Sequence, residues 1–224
     1  MGIAWTEWRS LDRFLVGGTS LFLFICPLLA ATPEAWPGLV VLSFTATGGL
    51  VLLWRRDPLT TEQILWGALL FRLAFLPLLP GLTDDLYRYV WDGWLQMEGI
   101  NPYRYPPEHE ALQSFQKVPI YERLNSQSYY SVYPPLTQLA FAVGGWFYTE
   151  FGWPAAYFTL KGLFASVEFG GVFLLSRMTT ARNLLLYAWN PLVLIETAGQ
   201  GHTEALLVPF LIGLVWAVKQ GRGR

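Results

Sequence analysis

Apolar positions in this chain gather into long uninterrupted runs, not into the alternation or one-sided stripe of a soluble domain. The runs are Phe14–Ala31, Pro37–Trp54, Gln63–Leu79, Pro134–Thr149, Ala155–Ser176, Leu184–Ala198 and Ala205–Val218. A helix needs roughly 17–25 mostly apolar residues to cross the hydrocarbon core of a bilayer, and several runs supply them. Pro134–Thr149, Leu184–Ala198 and Ala205–Val218 are shorter. No polar face recurs within them at helical period, as it would in a helix lying on a soluble core. The pattern predicts an all-α, polytopic transmembrane bundle over residues 1–224, with about seven hydrophobic segments. Between the third and fourth runs stands the polar loop 80–133, too long and too aromatic for a plain connection. Short amphipathic helices are expected there, together with the chemistry.

Composition supports the membrane reading: 53% of residues are hydrophobic and 14% charged, where a soluble domain carries about 25% charge. A net charge of −1 gives no basic field for nucleic acid. Cys26 is alone, so no intramolecular disulfide forms. Leu29-Ala30-Ala31 makes a poor signal-peptidase site, and the first run reads better as an uncleaved span.

Positive residues flanking short loops set orientation. Arg9 and Arg13 precede the first run and Arg55-Arg56 follow the second, while the loop between them holds Glu34 and no Lys or Arg. This puts the N-terminus in the cytoplasm and loop 80–133 on the outer side of an inner (cytoplasmic) membrane. Lys219, Arg222 and Arg224 return the C-terminal end to the cytoplasm. Seven crossings give the wrong parity for that, so one segment does not cross. One candidate is Leu184–Ala198, which Asn190-Pro191 breaks into a re-entrant pair. The other is Pro134–Thr149, whose exclusion also places Arg177 and Arg182 in the cytoplasm. Either choice leaves Gly199–Glu204 on the same outer face as the loop.

Within the loop, Thr83 is positioned to cap a helix starting near Asp84, and Asp84 and Asp85 suit the dipole of its first turn. Asp85, Arg88 and Asp92 then share one helical face. Gly99 ends this helix, Asn101-Pro102-Tyr103 turns the chain, and Glu108–Leu124 reads as a second, amphipathic surface helix. The Asp84-Asp85 pair is a solvated helix start, a general base, or a holder of Mg²⁺ or Mn²⁺. Seven acids against four bases give the loop a net charge of −3, so phosphate recognition falls to individual arginines. The tyrosines up to Tyr133 either anchor at the membrane interface or stack on a sugar ring, and Pro135 suits the first turn of the next helix. Charges at membrane depth pair or line cavities; Arg72 with Glu168 is the expected structural pair, and Lys161 shares a face with Glu168. His202 and Glu204, on the outer face, are placed to meet the loop.

The segment from Leu82-Thr83-Asp84-Asp85 through Arg88, Asp92 and Gly93, followed by Gly99-Ile100-Asn101-Pro102-Tyr103, resembles the first outer loop of GT-C type integral-membrane glycosyltransferases. The bacterial, mannosyltransferase-like members that use polyprenyl-phosphate sugars resemble it most. Tyr133-Pro134-Pro135-Leu136-Thr137 is similar to a motif of lipid-linked-oligosaccharide glucosyltransferases, and Trp189-Asn190-Pro191-Leu192 with Gly201-His202-Thr203-Glu204 matches a further block of the bacterial group. The resemblance implies a hexosyl, mannose-like donor on polyprenyl phosphate and inversion at the anomeric carbon. It implies a base at Asp85 or Asp84, Arg88 as the cation for the leaving phosphate, and His202 as a donor to phosphate or sugar. Such family members continue past the Gly-His block, whereas this chain ends at Arg224. Three expectations follow: half of a split enzyme with a partner membrane protein or second copy, a non-catalytic subunit that binds lipid or a partner, or a minimal enzyme. A small transporter has the intramembrane charges in its favour but no repeat symmetry.

Overall fold

The computed structural model describes residues 2–30, 33–77 and 81–221. Ala31 of the weak cleavage motif, Pro80 at the loop's opening, and Arg222 and Arg224 of the basic tail lie outside them. Every regular element among the described residues is helical. In order they are α1 (Gly2–Ala30), α2 (Trp36–Arg56), α3 (Thr61–Phe75), α4 (Asp85–Met97), α5 (Pro119–Glu122), α6 (Pro135–Phe151), α7 (Trp153–Ser176), α8 (Ala181–Ala188), α9 (Pro191–Leu194) and α10 (Val208–Gly221). Three described stretches are long and apolar enough to cross a membrane: α2, α7 and Thr203–Gly221, the last comprising a 3₁₀ turn and α10. The chain is an all-α membrane bundle, and three of the expected seven segments meet that measure among the described residues.

Two apolar clusters organise the bundle. The first joins α1, α2, α3 and α8 through Leu23, Leu50, Phe71 and Leu185. The second joins α4, α6 and the loop through Trp91, Ile120 and Phe141. Helix α7 enters both, giving Val172 to the first and Tyr157 and Phe164 to the second. Its 24 residues, rising 1.5 Å each, give it a length of about 36 Å. Beyond the first cluster, the Arg182 guanidinium lies 3.8 Å from the Trp54 ring centroid, Trp54 Nε1 donates to Asn183 Oδ1 (3.1 Å), and Arg56 pairs with Asp12 at 3.7 Å. Basic residues of two distant stretches thus meet at one end, and loop 80–133 sits at the other.

Arg72 and Glu168 form the expected pair. Nε and Nη2 donate to the two carboxylate oxygens at 2.5 and 2.9 Å, and Nη1 donates to the carbonyls of Ala68 and Ala188. The two side chains are 2% and 0% exposed, so removing either would strand a charge where solvation is poorest. Lys161 Nζ donates to the Phe75 carbonyl (2.9 Å) and the Tyr157 hydroxyl (3.1 Å).

Segment 181–199 is broken as its sequence predicts. Asn190 caps α9, its Oδ1 accepting from Leu192 N (2.9 Å), and a π turn over Ile195–Gly199 follows. The second loop helix expected over Glu108–Leu124 does not form. The segment instead holds a 3₁₀ turn at Glu110–Leu112 and the single turn of α5. Pro119 forces Val118 out of helical geometry (φ −103°, ψ 148°). Upstream, Gln116 Nε2 donates to the carbonyls of Pro107 and His109, fixing a compact loop.

Candidate active site

Helix α4 is built as its sequence predicts. Thr83 Oγ1 accepts from Asp85 N (3.2 Å), satisfying a donor at the helix start. Gly99, at φ +73°, ends the helix; Ile100 N donates to Leu95 O (2.8 Å) and Gly99 N to Gln96 O (3.1 Å), the paired bonds of a Schellman motif. The helix meets α6 backbone to backbone. A Cβ on Gly93 would lie 1.8 Å from Phe141 O, and one on Gly145 would lie 2.1 Å from the Gly93 carbonyl carbon. Pro135 stands in the first turn of α6, as expected.

Arg88 and Asp92 are sealed beneath the surface, 2% and 0% exposed. Arg88 Nε donates to Asp92 Oδ1 (2.8 Å), while Nη1 donates to the carbonyls of Ser126 and Tyr129 (2.9 and 3.0 Å). The other Asp92 oxygen accepts from Ser131 Oγ (2.5 Å) and Gln138 Nε2 (2.9 Å). Burial pushes the Asp92 carboxyl up, and Arg88, Ser131 and Gln138 pull it back. These bonds tie the end of the loop onto α4. One donor remains uncommitted: Arg88 Nη2 is buried and has no hydrogen-bond partner.

Asp85 and Asp84 sit at the mouth, half-buried and exposed respectively. Burial, followed by the charge of Asp85, raises the Tyr133 hydroxyl to about 12. Tyr89 shares a hydrogen bond with Tyr133 and is also pushed up, first by burial and then by Tyr133, Asp85 and Glu204. His202 lies within the field of Asp85 and Glu204. Its Nδ1 is 2.7 Å from Glu196 Oε2, and that hydrogen bond is the largest cause of its raised pKa. Leu82 N donates to Gln200 Oε1 (3.0 Å), tying the loop's opening to the turn before His202. Asp85, Tyr133, His202 and Glu204 therefore converge, Asp84 flanks them, and Arg88 and Asp92 lie behind.

Glu196, Gln200, Ser131 and Gln138 complete this arrangement and were not among the sequence candidates. Glu196 and His202 are six apart, a spacing that no regular helix places side by side, and the π turn joins them. Among the described residues no group of three or more His, Cys, Asp or Glu is arranged to hold a metal. Asp84 and Asp85 are two carboxylates, a number that holds Mg²⁺ together with substrate phosphate oxygens.

A groove of about 470 Å³ leads to Glu196 from the flank of α2. Leu39, Val40, Phe44 and Leu192 line it, with Leu82 near the loop's opening. Its walls are mostly apolar, with Ser43, Thr47 and Asn190 among them, and Glu196 joins it to His202.

The family model described as alpha-(1->6)-mannopyranosyltransferase, N-terminal domain, matches residues 26–223. No curated protein and no solved structure gives a match.

Proposed function

Because the chain belongs to the family of alpha-(1->6)-mannopyranosyltransferase N-terminal domains, we propose that it transfers a mannose-like hexose from a polyprenyl-phosphate donor to an acceptor on the outer face of the inner membrane. The observation that carries this reading is the meeting of an apolar groove with the Asp85–His202 mouth at Glu196. A prenyl chain fits walls that would strand a sugar nucleotide, and its phosphate would come to rest beside His202.

The chemistry is a single displacement. The acceptor hydroxyl attacks the anomeric carbon as Asp85 takes its proton, and the bond between that carbon and the phosphate oxygen breaks on the opposite face. The configuration inverts, and the phosphate leaves on the polyprenol with its electron pair. A carboxylate within hydrogen-bond reach suits the proton transfer. Charge building on the leaving phosphate needs fixed donors in a site shielded from water. His202, kept protonated to higher pH by Glu196, is the donor at the mouth, and the buried Arg88 guanidinium lies behind it. Tyr133 and Glu204 border the sugar position.

The donor assignment is tested in proteoliposomes with mannose labelled on polyprenyl phosphate or on a nucleotide. Label should reach a mannoside acceptor from the lipid alone. Transfer from the nucleotide without lipid would contradict the groove's assignment. Helix α10 buries none of its residues and exposes Phe210, Leu211, Leu214 and Trp216, so this is the face where a second copy or a partner membrane protein would pack. Mass measurement in mild detergent should find an assembly larger than one chain, and a monomer that transfers mannose would rule the partner out.

A further inference from the structure

A second cavity, of about 920 Å³, opens on the other side of α4. That volume suits a ligand larger than one sugar ring. Tyr87 and Trp94 line it from α4, and Glu98 from the residue that caps that helix. At spacings of seven and eleven residues they share one helical face, opposite the face of Asp85 and Asp92. Tyr148 and Trp153 close it from α6 and α7, and Arg123 from the loop. The rings are half-buried and held in place. Tyr87 stacks on Trp153 (centroids 4.4 Å apart, planes at 10°), and Trp94 meets Tyr148 edge-on at 5.5 Å. Trp94 Nε1 donates to Glu98 Oε1 at 3.3 Å.

We propose that this groove binds the acceptor's sugar chain: an uncharged oligomannoside whose growing end reaches Asp85 while its earlier units lie along the aromatic wall. The inference rests on the transferase reading above. Fixed aromatic rings give the apolar faces of pyranose rings a surface to cover at little entropic cost. Glu98 and Arg123 are both exposed and of opposite sign. Together they give the groove donors and acceptors for hydroxyls without a net charge for phosphate. A lipid chain is better served by the groove at Glu196, whose lining is mostly apolar and carries one aromatic ring, Phe44. Tyr87, two residues from Asp85 in the first turn of α4, marks the end nearest the reacting centre. A chain passing round the start of that helix reaches both sides.

The test uses the full chain in nanodiscs. Intrinsic tryptophan fluorescence is titrated with an alpha-(1->6)-linked mannotetraose, with mannose, and with an alpha-(1->4)-linked glucotetraose. The mannotetraose should quench saturably and bind at least about tenfold more tightly than mannose, a difference of 1.4 kcal/mol. The double variant Glu98→Gln/Arg123→Ala, which alters only exposed side chains, and Tyr148→Ala should each weaken it by about tenfold. In transfer assays the same variants should raise KM for a tetramannoside acceptor and leave kcat, and transfer to a monomannoside, unchanged. Equal affinity in variants and parent, no binding of the mannotetraose, or equal binding of the glucotetraose would overturn the groove's assignment. Saturable binding without any mannosyl transfer would instead defeat the transferase reading and leave the groove standing.

Discussion

Arg88 gives Nε and Nη1 to Asp92, Ser126 and Tyr129, and these bonds hold the end of the loop on α4. His202 has a simpler position, and Glu196 makes it predictable. The hydrogen bond to Glu196 raises the His202 pKa above its ordinary 6.5. The protonated form, which offers two N–H donors, therefore persists to higher pH and is lost as pH rises through the raised value. Donor KM should be flat at acid pH and climb as pH rises through that raised value. In Glu196→Gln the charge that holds the proton is gone, so the climb should begin at lower pH. A rise at the same pH in both proteins would separate His202 from the phosphate. The shared face of Asp85, Arg88 and Asp92 was legible from the sequence because a regular helical period carries it. Glu196 was not, because its contact with His202 depends on a π turn that no periodicity announces.

Helix α6 was read as an apolar run and a doubtful crossing. The structure keeps both of its ends against α4: Gln138 near its start accepts from Gln96, and Tyr148 near its end meets Trp94. The backbone approach of Gly93 to Gly145 lets α4 lie directly on it. An added methyl at either glycine would drive backbone apart, a change that costs more than ordinary overpacking, which runs at about 1–3 kcal/mol. Apolarity alone does not distinguish a lipid-facing helix from one covered by an amphipathic neighbour, so the sequence left two candidates for the segment that does not cross. A helix that begins and ends against α4 should present both ends to the outer side. With Cys26→Ser as background, a cysteine at Glu150 should react with a membrane-impermeant thiol reagent on intact cells, as should one at Ser114 in the loop. Labelling at 114 with protection at 150 would return α6 to the crossing helices. The lost surface helix over 108–124 has a plainer cause: Pro119 stops it and Gln116 binds the upstream carbonyls.

On the scale of the whole molecule, α7 couples the cluster of α1, α2, α3 and α8 to the cluster of α4, α6 and the loop, and the candidate site lies where the loop's opening meets the turn before His202. The membrane class, the broken segment at Asn190-Pro191 and the Arg72–Glu168 pair were all readable in advance, since each follows from the cost of polar groups in hydrocarbon. The apolar groove ending at Glu196 was not, because its walls come from α2 and a segment some 150 residues away. Everything assigned to the site turns on Asp85 accepting the acceptor's proton. Turnover of a radiolabelled polyprenyl-phosphate mannose in proteoliposomes, compared between the parent chain, Asp84→Asn and Asp85→Asn, tests that most directly. Asp85→Asn keeps the shape and removes the proton acceptor, so transfer should fall by roughly 10²-fold or more, with protein yield and donor binding little changed and Asp84→Asn milder. Undiminished transfer by Asp85→Asn would contradict the account.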